Sequence, residues 1–321
     1  MRKNKKVILI YLISGILCAN LFGCAKTEAY RKSEEKYIVG VVTKSSSSEY
    51  WMSVHSGMEA AASELDMEVV FLAPDSELKQ DVQEKLVDKL IERNVDALAI
   101  APIDSYDMPE YMKTVEESGI PTVSFDTAFE GQKFPYVGID NRQAGYKLAE
   151  ILAEEIGYEG EVGIVAGSLE QMGHKERVEG FLEYMESEPE ITVVFTESGY
   201  ANLQMSGEKV RAILDEYPDV KGIFATSAVT ALGLSDATGD RDIKIVTIDE
   251  QKDAVDALEK GAFSALALQS GYKIGYETIH LLGRMKKKED DLEDFVVETE
   301  ILTQENIAEY RREHEAEKYS G

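Results

Sequence analysis

The stretch Asn94-Val95-Asp96-Ala97-Leu98-Ala99-Ile100-Ala101 has a near-copy of its pattern at Pro218-Asp219-Val220-Lys221-Gly222-Ile223-Phe224-Ala225. Each is an acidic turn leading into a short apolar run. Runs of this kind, without strict alternation, mark strands buried on both faces, as in parallel sheets. The next apolar run in each half ends on a carboxylate: Thr122-Val123-Ser124-Phe125-Asp126 and Lys244-Ile245-Val246-Thr247-Ile248-Asp249. Agreement in order over successive elements predicts two similar lobes.

Outward from this pair, strands are predicted over residues 37–43, 67–72, 96–101, 121–125, 161–166, 192–196, 220–225, 243–248 and 262–268. Helical patterns over 50–65, 79–93, 144–156 and 175–185 lie between them. Strands alternating with helices describe an α/β fold of two similar doubly wound parallel-sheet lobes, built from right-handed βα units. The lobes are assigned to residues 37–139 with 270–298, and to 140–269 with 299–321. Ligands of open α/β sheets bind beyond the carboxyl ends of the strands. Two facing lobes therefore put Asp126 and Asp249 on opposite walls of one cleft, a common place for a small ligand. The alternative role for either carboxylate is a helix N-cap.

The ends of the chain carry a different message. Arg2, Lys3, Lys5 and Lys6 precede an apolar run over 7–22, the pattern of a secretory signal peptide, and the run is short for a membrane-spanning helix. It ends in Leu21-Phe22-Gly23-Cys24, which resembles a bacterial lipobox, with Phe22 bulkier than the usual small residue. The expectation is a signal peptide over 1–23, lipidation at Cys24 and a polar tether over 24–36. The protein would then stand on the outer face of the cytoplasmic membrane and touch it only through the lipid. Cys18 and Cys24 are the two cysteines, so the body would hold no disulfide. The chain carries a net charge of −27, and loss of residues 1–23, with four basic and no acidic groups, takes it to −31. Such a surface repels nucleic acid. The charged segment 303–321 reads as a solvated, fraying helix.

The chain from about residue 37 to 302 resembles the type I periplasmic sugar-binding proteins, the ribose-binding group in particular. The resemblance rests on Val41-Val42-Thr43 leading into Glu49-Tyr50-Trp51, on Phe125-Asp126 and on Lys175-Glu176-Arg177-Val178-Glu179-Gly180-Phe181. Pro218-Asp219-Val220, Ile248-Asp249 and Leu268-Gln269 complete it. It implies a ligand cleft between lobes joined by a three-stranded hinge, with crossings near residues 139–141, 269–270 and 298–302. It also implies site roles. Tyr50, Trp51 and Tyr200 would stack on the C–H faces of a sugar, or else serve as core. Asp126 and Asp249 would each accept two hydroxyl hydrogen bonds, and Arg177 would donate to sugar oxygens. Gln269 would donate and accept at once, or else be a hinge residue bonded to backbone. No carboxylate lies three or four residues from Arg177, which favours a site role over a surface ion pair.

Departures from that pattern bear on specificity. Ser48, Ala101, Thr127 and Ser227 stand where ribose binders carry amides or a second arginine. The missing donors weaken a ribose assignment. Lys44, Ser48, Thr127 and Ser227 remain possible ligand contacts. Ser45, Ser46 and Ser47 either add donors or form a flexible polar loop between strand and helix, the reading the sequence favours. The implied function is capture of a small sugar or polyol by hinge closure, by a monomer that hands it to an ABC-transporter permease. A ligand-presenting sensor is the alternative. A glycosidase-like enzyme is disfavoured, because His55, His174, His280 and His314 are scattered and Lys44-Ser45-Ser46-Ser47 lacks a phosphate loop's glycines. No cofactor or metal is expected. A DNA-binding regulator of the lactose-repressor type would need a helix pair ahead of residue 37, where the sequence has a signal segment and a tether.

Overall fold

The computed structural model describes residues 36–46, 48–106, 110–239, 241–289 and 292–318. The signal segment, Cys24, most of the tether and Ser47 lie outside them. The first apolar run becomes β1 (Tyr37–Val42), buried over its last four residues. It sits inside a sheet with β2 (Met67–Leu72), β3 (Ala97–Ile100), β4 (Thr122–Phe125), β5 (Tyr136–Gly138) and β11 (Phe295–Val296). The order is β11-β5-β4-β3-β1-β2, and every pair is parallel.

The second sheet repeats the plan. Its strands are β6 (Gly160–Ala166), β7 (Ile191–Ser198), β8 (Val220–Ala225), β9 (Lys244–Ile248), β10 (Ala265–Ala267) and β12 (Ile301–Thr303). The order β12-β10-β9-β8-β6-β7 matches the first sheet position by position, except that β12 runs antiparallel to β10. The two similar doubly wound lobes expected from the sequence are present. The chain passes between the sheets three times: after β5, after β10, and between β11 and β12.

Helices of the first lobe are α1 (Glu49–Glu64), α2 (Gln80–Glu92), α3 (Glu110–Ser118) and, after the second crossing, α9 (Gly271–Lys286). The second lobe has α4 (Asn141–Glu155), α5 (Met172–Met185), α6 (Leu203–Glu216), α7 (Ala228–Thr238), α8 (Lys252–Glu259) and α10 (Ile307–Lys318). Three helix pairs approach with backbones nearly touching, α1 with α9, α4 with α5 and α6 with α7. A Cβ at Gly57 of α1 would lie 2.0 Å from the Tyr272 carbonyl oxygen of α9, and one at Gly145 of α4 would lie 2.0 Å from that of Arg177 on α5. Only glycine permits such contact, and the pairing of α4 with α5 fixes the helix that carries Arg177.

Three sequence expectations need correction. The strand expected over 262–268 shrinks to β10, because residues up to Ala262 finish α8: Gly261 has φ +79° and Ala262 N–H donates to the Ala257 carbonyl. The loop after β1 is not a loose polar segment at its start, since Ser45 is buried and Ser46 N–H donates to the Pro74 carbonyl. The C-terminal helix is docked rather than wholly solvated. Ile307 is buried, the Tyr310 hydroxyl donates to Glu250 at 2.7 Å, and Arg311 pairs with Asp256 and Glu259 of the α8 region. Strands β5, β11 and β12 are two or three residues long and leave no periodic signal.

Candidate functional site

A cavity of about 510 Å³ opens between the lobes at the carboxyl ends of both sheets. Lys44, Ser48, Tyr50, Trp51, Asp126 and Thr127 line it from the first lobe, and Arg177, Tyr200, Ser227 and Asp249 from the second. Gln269 does not line it; fully buried at the second crossing, it joins the two walls from behind.

Both aspartates follow a central strand directly, and both adopt left-handed backbone, with φ +63° at Asp126 and +95° at Asp249. Non-glycine residues rarely do so, Asp and Asn being the tolerated cases. At Asp126 the chain is held by N–H donation to the Val137 carbonyl and by a tight turn in which Thr127 N–H donates to the Phe125 carbonyl. At Asp249, N–H donates to the Ala267 carbonyl. Neither residue is a helix N-cap. The element after Asp126 is a strand, and α8 is preceded by Gln251.

Asp126 is saturated. It accepts hydrogen bonds from Tyr50 Oη (2.6 Å), Gln269 Nε2 (2.9 Å) and Thr127 Oγ1 (3.1 Å), and its Oδ2 lies 2.7 Å from Lys44 Nζ. Lys44 also donates to Thr127 Oγ1 at 2.9 Å and to Gln171 Oε1 of the other lobe at 2.7 Å. Burial opposes ionisation of Asp126, but the Lys44 ammonium beside it, with hydrogen bonds from Lys44 and Tyr50, brings its pKa down to about 2.

Asp249 is poorly compensated. Its Oδ2 accepts from Ala228 N–H at 3.2 Å, and Oδ1 faces Arg177 Nη1 at 3.9 Å, beyond hydrogen-bond reach. Burial, opposed by Arg177 and reinforced by Asp126, lifts its pKa to about 6. Arg177 spends three of its five N–H donors inside the protein, on Asn141 Oδ1 (2.8 Å), the Thr226 carbonyl (2.7 Å) and Gln269 Oε1 (2.5 Å).

Trp51 packs edge-on against Tyr50 and Phe125 and is buried, so core and cavity wall coincide in it. Tyr200 is 37% exposed at the opening, with left-handed backbone and Lys209 Nζ 5.9 Å from its ring centre. Ser48 and Ser227 cap α1 and α7, accepting from Trp51 N–H and Thr230 N–H.

Several participants were not singled out from sequence. Asn141 orients Arg177, Gln171 links Lys44 to Glu77, and the Tyr136 hydroxyl donates to the Asp126 carbonyl. His174 lines the cavity; burial, with Arg177 and Lys44 nearby, holds its pKa well below the usual range, so it is neutral. Its Nδ1 lies 2.8 Å from Thr226 Oγ1, which also accepts from Gly167 N–H. The lobes also touch directly. Ser105 N–H donates to the Glu170 carbonyl, Met172 N–H to Ser105 Oγ, and Lys252 N–H to Glu49 Oε2, each at 3.0 Å. Among the described residues no cluster of three metal-ligating side chains occurs, and no helix is long and apolar enough to cross a membrane.

Known proteins share this architecture. The D-ribose/D-allose-binding protein of Pseudomonas aeruginosa is 28% identical over 288 residues, covering 85% of this chain and 90% of its own length. The xylitol-binding protein of Mycolicibacterium smegmatis is 24% identical, covering 92% and 84%. The structure of an ABC-transporter periplasmic solute-binding protein of Actinobacillus succinogenes, with bound D-allose, superimposes with a TM-score of 0.79 at 25% identity, over 86% of this chain and all of that one. A family model described as periplasmic binding protein domain matches residues 39–290. The chain thus belongs to the periplasmic binding protein domain family, a family of binding proteins.

Proposed function

We propose that this protein captures a small sugar or polyol between its lobes and delivers it to an ABC-transporter permease. The observation that carries the reading is the pair Asp126 and Asp249, brought from opposite lobes to one polar cavity. A carboxylate accepts two hydroxyl hydrogen bonds from neighbouring sugar carbons, while Lys44 and Arg177 donate to ring and hydroxyl oxygens. Tyr50, Trp51 and Tyr200 offer ring surface to C–H patches. Lys44, two residues after β1, places a cation against Asp126. The ligand meets both walls only when the lobes are together, and that differential affinity drives closure. Relatives whose names specify ribose, allose and xylitol support the substrate class. In this reading the protein is exported by its first 23 residues, held by a lipid on Cys24 at the outer face of the cytoplasmic membrane, and works as a monomer without cofactor or metal.

The test is thermal denaturation of the full chain against D-ribose, D-allose, D-arabinose, D-galactose and xylitol. A ligand at a hundred times its Kd adds about 2.7 kcal/mol of stability, a shift of several degrees. Asp126→Asn and Asp249→Asn, each compared with its own unliganded baseline, should lose that shift. A sugar-dependent shift that survives in both variants, or no shift with any sugar or polyol, sinks the reading.

A further inference from the structure

The cavity is larger and less uniform than a bare monosaccharide requires. Even at the roughly 30 Å³ that a water molecule occupies in the liquid, the dozen heavy atoms of a hexose fill no more than about 360 Å³. The cavity holds about 510 Å³. Its floor is charged and buried, built by Lys44, Asp126, Arg177 and Asp249. Each lobe also contributes exposed apolar side chains to the lining, among polar neighbours such as Asp75, Glu77 and Asn202. Leu78, between β2 and α2, is 55% exposed, and Leu203, the first residue of α6, is 50% exposed. Tyr200 lies beside them, and Val229 and Leu232 of α7 extend the same wall.

Isolated exposed leucines are ordinary on protein surfaces. Here, however, the two lobes present them from corresponding connections, β2 to α2 and β7 to α6, into the cavity that holds the carboxylates. The second connection is also strained. Tyr200 and Ala201 are consecutive non-glycine residues in left-handed conformation, with φ +55° and +48°. Tyr200 is held there by its N–H donating to the Gly167 carbonyl at 2.7 Å. Strain of this kind persists where the surroundings fix a side chain in a particular place, here a tyrosine ring at the opening.

We infer that the opening is an apolar subsite, formed by Leu78 of one lobe and Tyr200, Leu203, Val229 and Leu232 of the other. The ligand is then a sugar or polyol bearing an uncharged apolar or aromatic substituent, its hydroxyls on the charged floor and its substituent between the leucines. The inference rests on the sugar reading above and extends it to the ligand's second half. An acidic substituent is disfavoured, because Glu49, Asp75 and Glu77 also line the cavity and would repel it.

The experiment is calorimetric titration of the full chain with D-ribose, D-allose, D-arabinose and D-galactose, each beside its phenyl glycoside and its terminal-hydroxyl benzyl ether. Two derivatives are needed because either end of the sugar can face the opening. The expected result is at least tenfold tighter binding of one derivative than of its parent sugar. Leu78→Ser and Leu203→Ser should each shrink that ratio by about threefold or more, whereas Asp126→Asn should remove binding of both members of the pair. Derivatives that bind no better than their parents, or a ratio unchanged in both leucine variants, overturn the subsite and leave the sugar reading intact. Absence of binding by every compound overturns both.

Discussion

The two lobes share a strand order and place an aspartate with left-handed backbone after the same strand, yet the two carboxylates live in opposite electrostatic states. Asp126 has a lysine from its own lobe at 2.7 Å, three hydrogen-bond donors, and a pKa near 2. Asp249 has one backbone N–H, a guanidinium at 3.9 Å, and a pKa near 6. Repetition of the fold has therefore not repeated the charge balance. One wall is complete without a ligand, and the other is short of a donor. A hydroxyl arriving at Asp249 supplies a hydrogen bond that nothing there now provides, whereas one arriving at Asp126 must displace a partner.

The contrast is most easily broken at Asp126. Replacing it by Asn keeps shape and the tolerated backbone conformation but leaves Lys44 buried without its counter-ion, so the unliganded protein should lose about 3–5 kcal/mol. Chemical denaturation at pH 7 measures this, and a loss below 1 kcal/mol would show that the ion pair contributes little. The stability due to the depressed Asp126 carboxyl is present above about pH 4 and is lost as pH falls towards 2.

Asp249→Asn should act in the opposite direction. Between about pH 4 and pH 6 the folded protein keeps a proton on Asp249 that the unfolded chain has released, so raising pH through that window destabilises the wild type by up to roughly 3 kcal/mol. The Asn variant should be more stable than wild type at pH 7 by about 1–3 kcal/mol and lack that component of the pH profile. A variant that is less stable at pH 7, with the profile unchanged, would remove the asymmetry. The smallest effect concerns a feature that the second lobe alone possesses, the docked C-terminal helix. Arg311 is partly exposed, so Arg311→Ala should cost only about 0.5–1 kcal/mol. A loss above 3 kcal/mol in the same denaturation assay would make the helix integral to the lobe's core.

Much of this arrangement was legible in the chain itself. Apolar runs before Asp126 and Asp249 gave both strand and end point, because a strand buried on both faces needs an unbroken apolar segment and its carboxyl end is where polar residues resume. What the sequence withheld are meetings between distant residues. Nothing near Lys44 marks it as the partner of Asp126, and Asn141 reads only as the start of a helix after Asp140. Gln171 sits in a connection and Tyr136 opens the three-residue β5, neither within a segment that has a period. The family pattern makes Ser48 a possible replacement donor and Ser227 a lost one, and their position directly before a helical run is the available sign of capping. Strands β5, β11 and β12 exist through pairing with a sheet already formed, not through any pattern of their own.

The close contact of α1 with α9 at Gly57 has a consequence for the order of events in folding. The chain builds most of the first lobe, leaves it through β5, builds β6 to β10, and only then returns to lay α9 on α1 and β11 beside β5. Ribosomal synthesis thus reaches the end of the second lobe's parallel strands before the first lobe can be completed. Contacts between residues so far apart in sequence are the ones that slow a folding reaction. Order of manufacture and order of completion are uncoupled in this molecule, and the first helix among the described residues waits for one of the last.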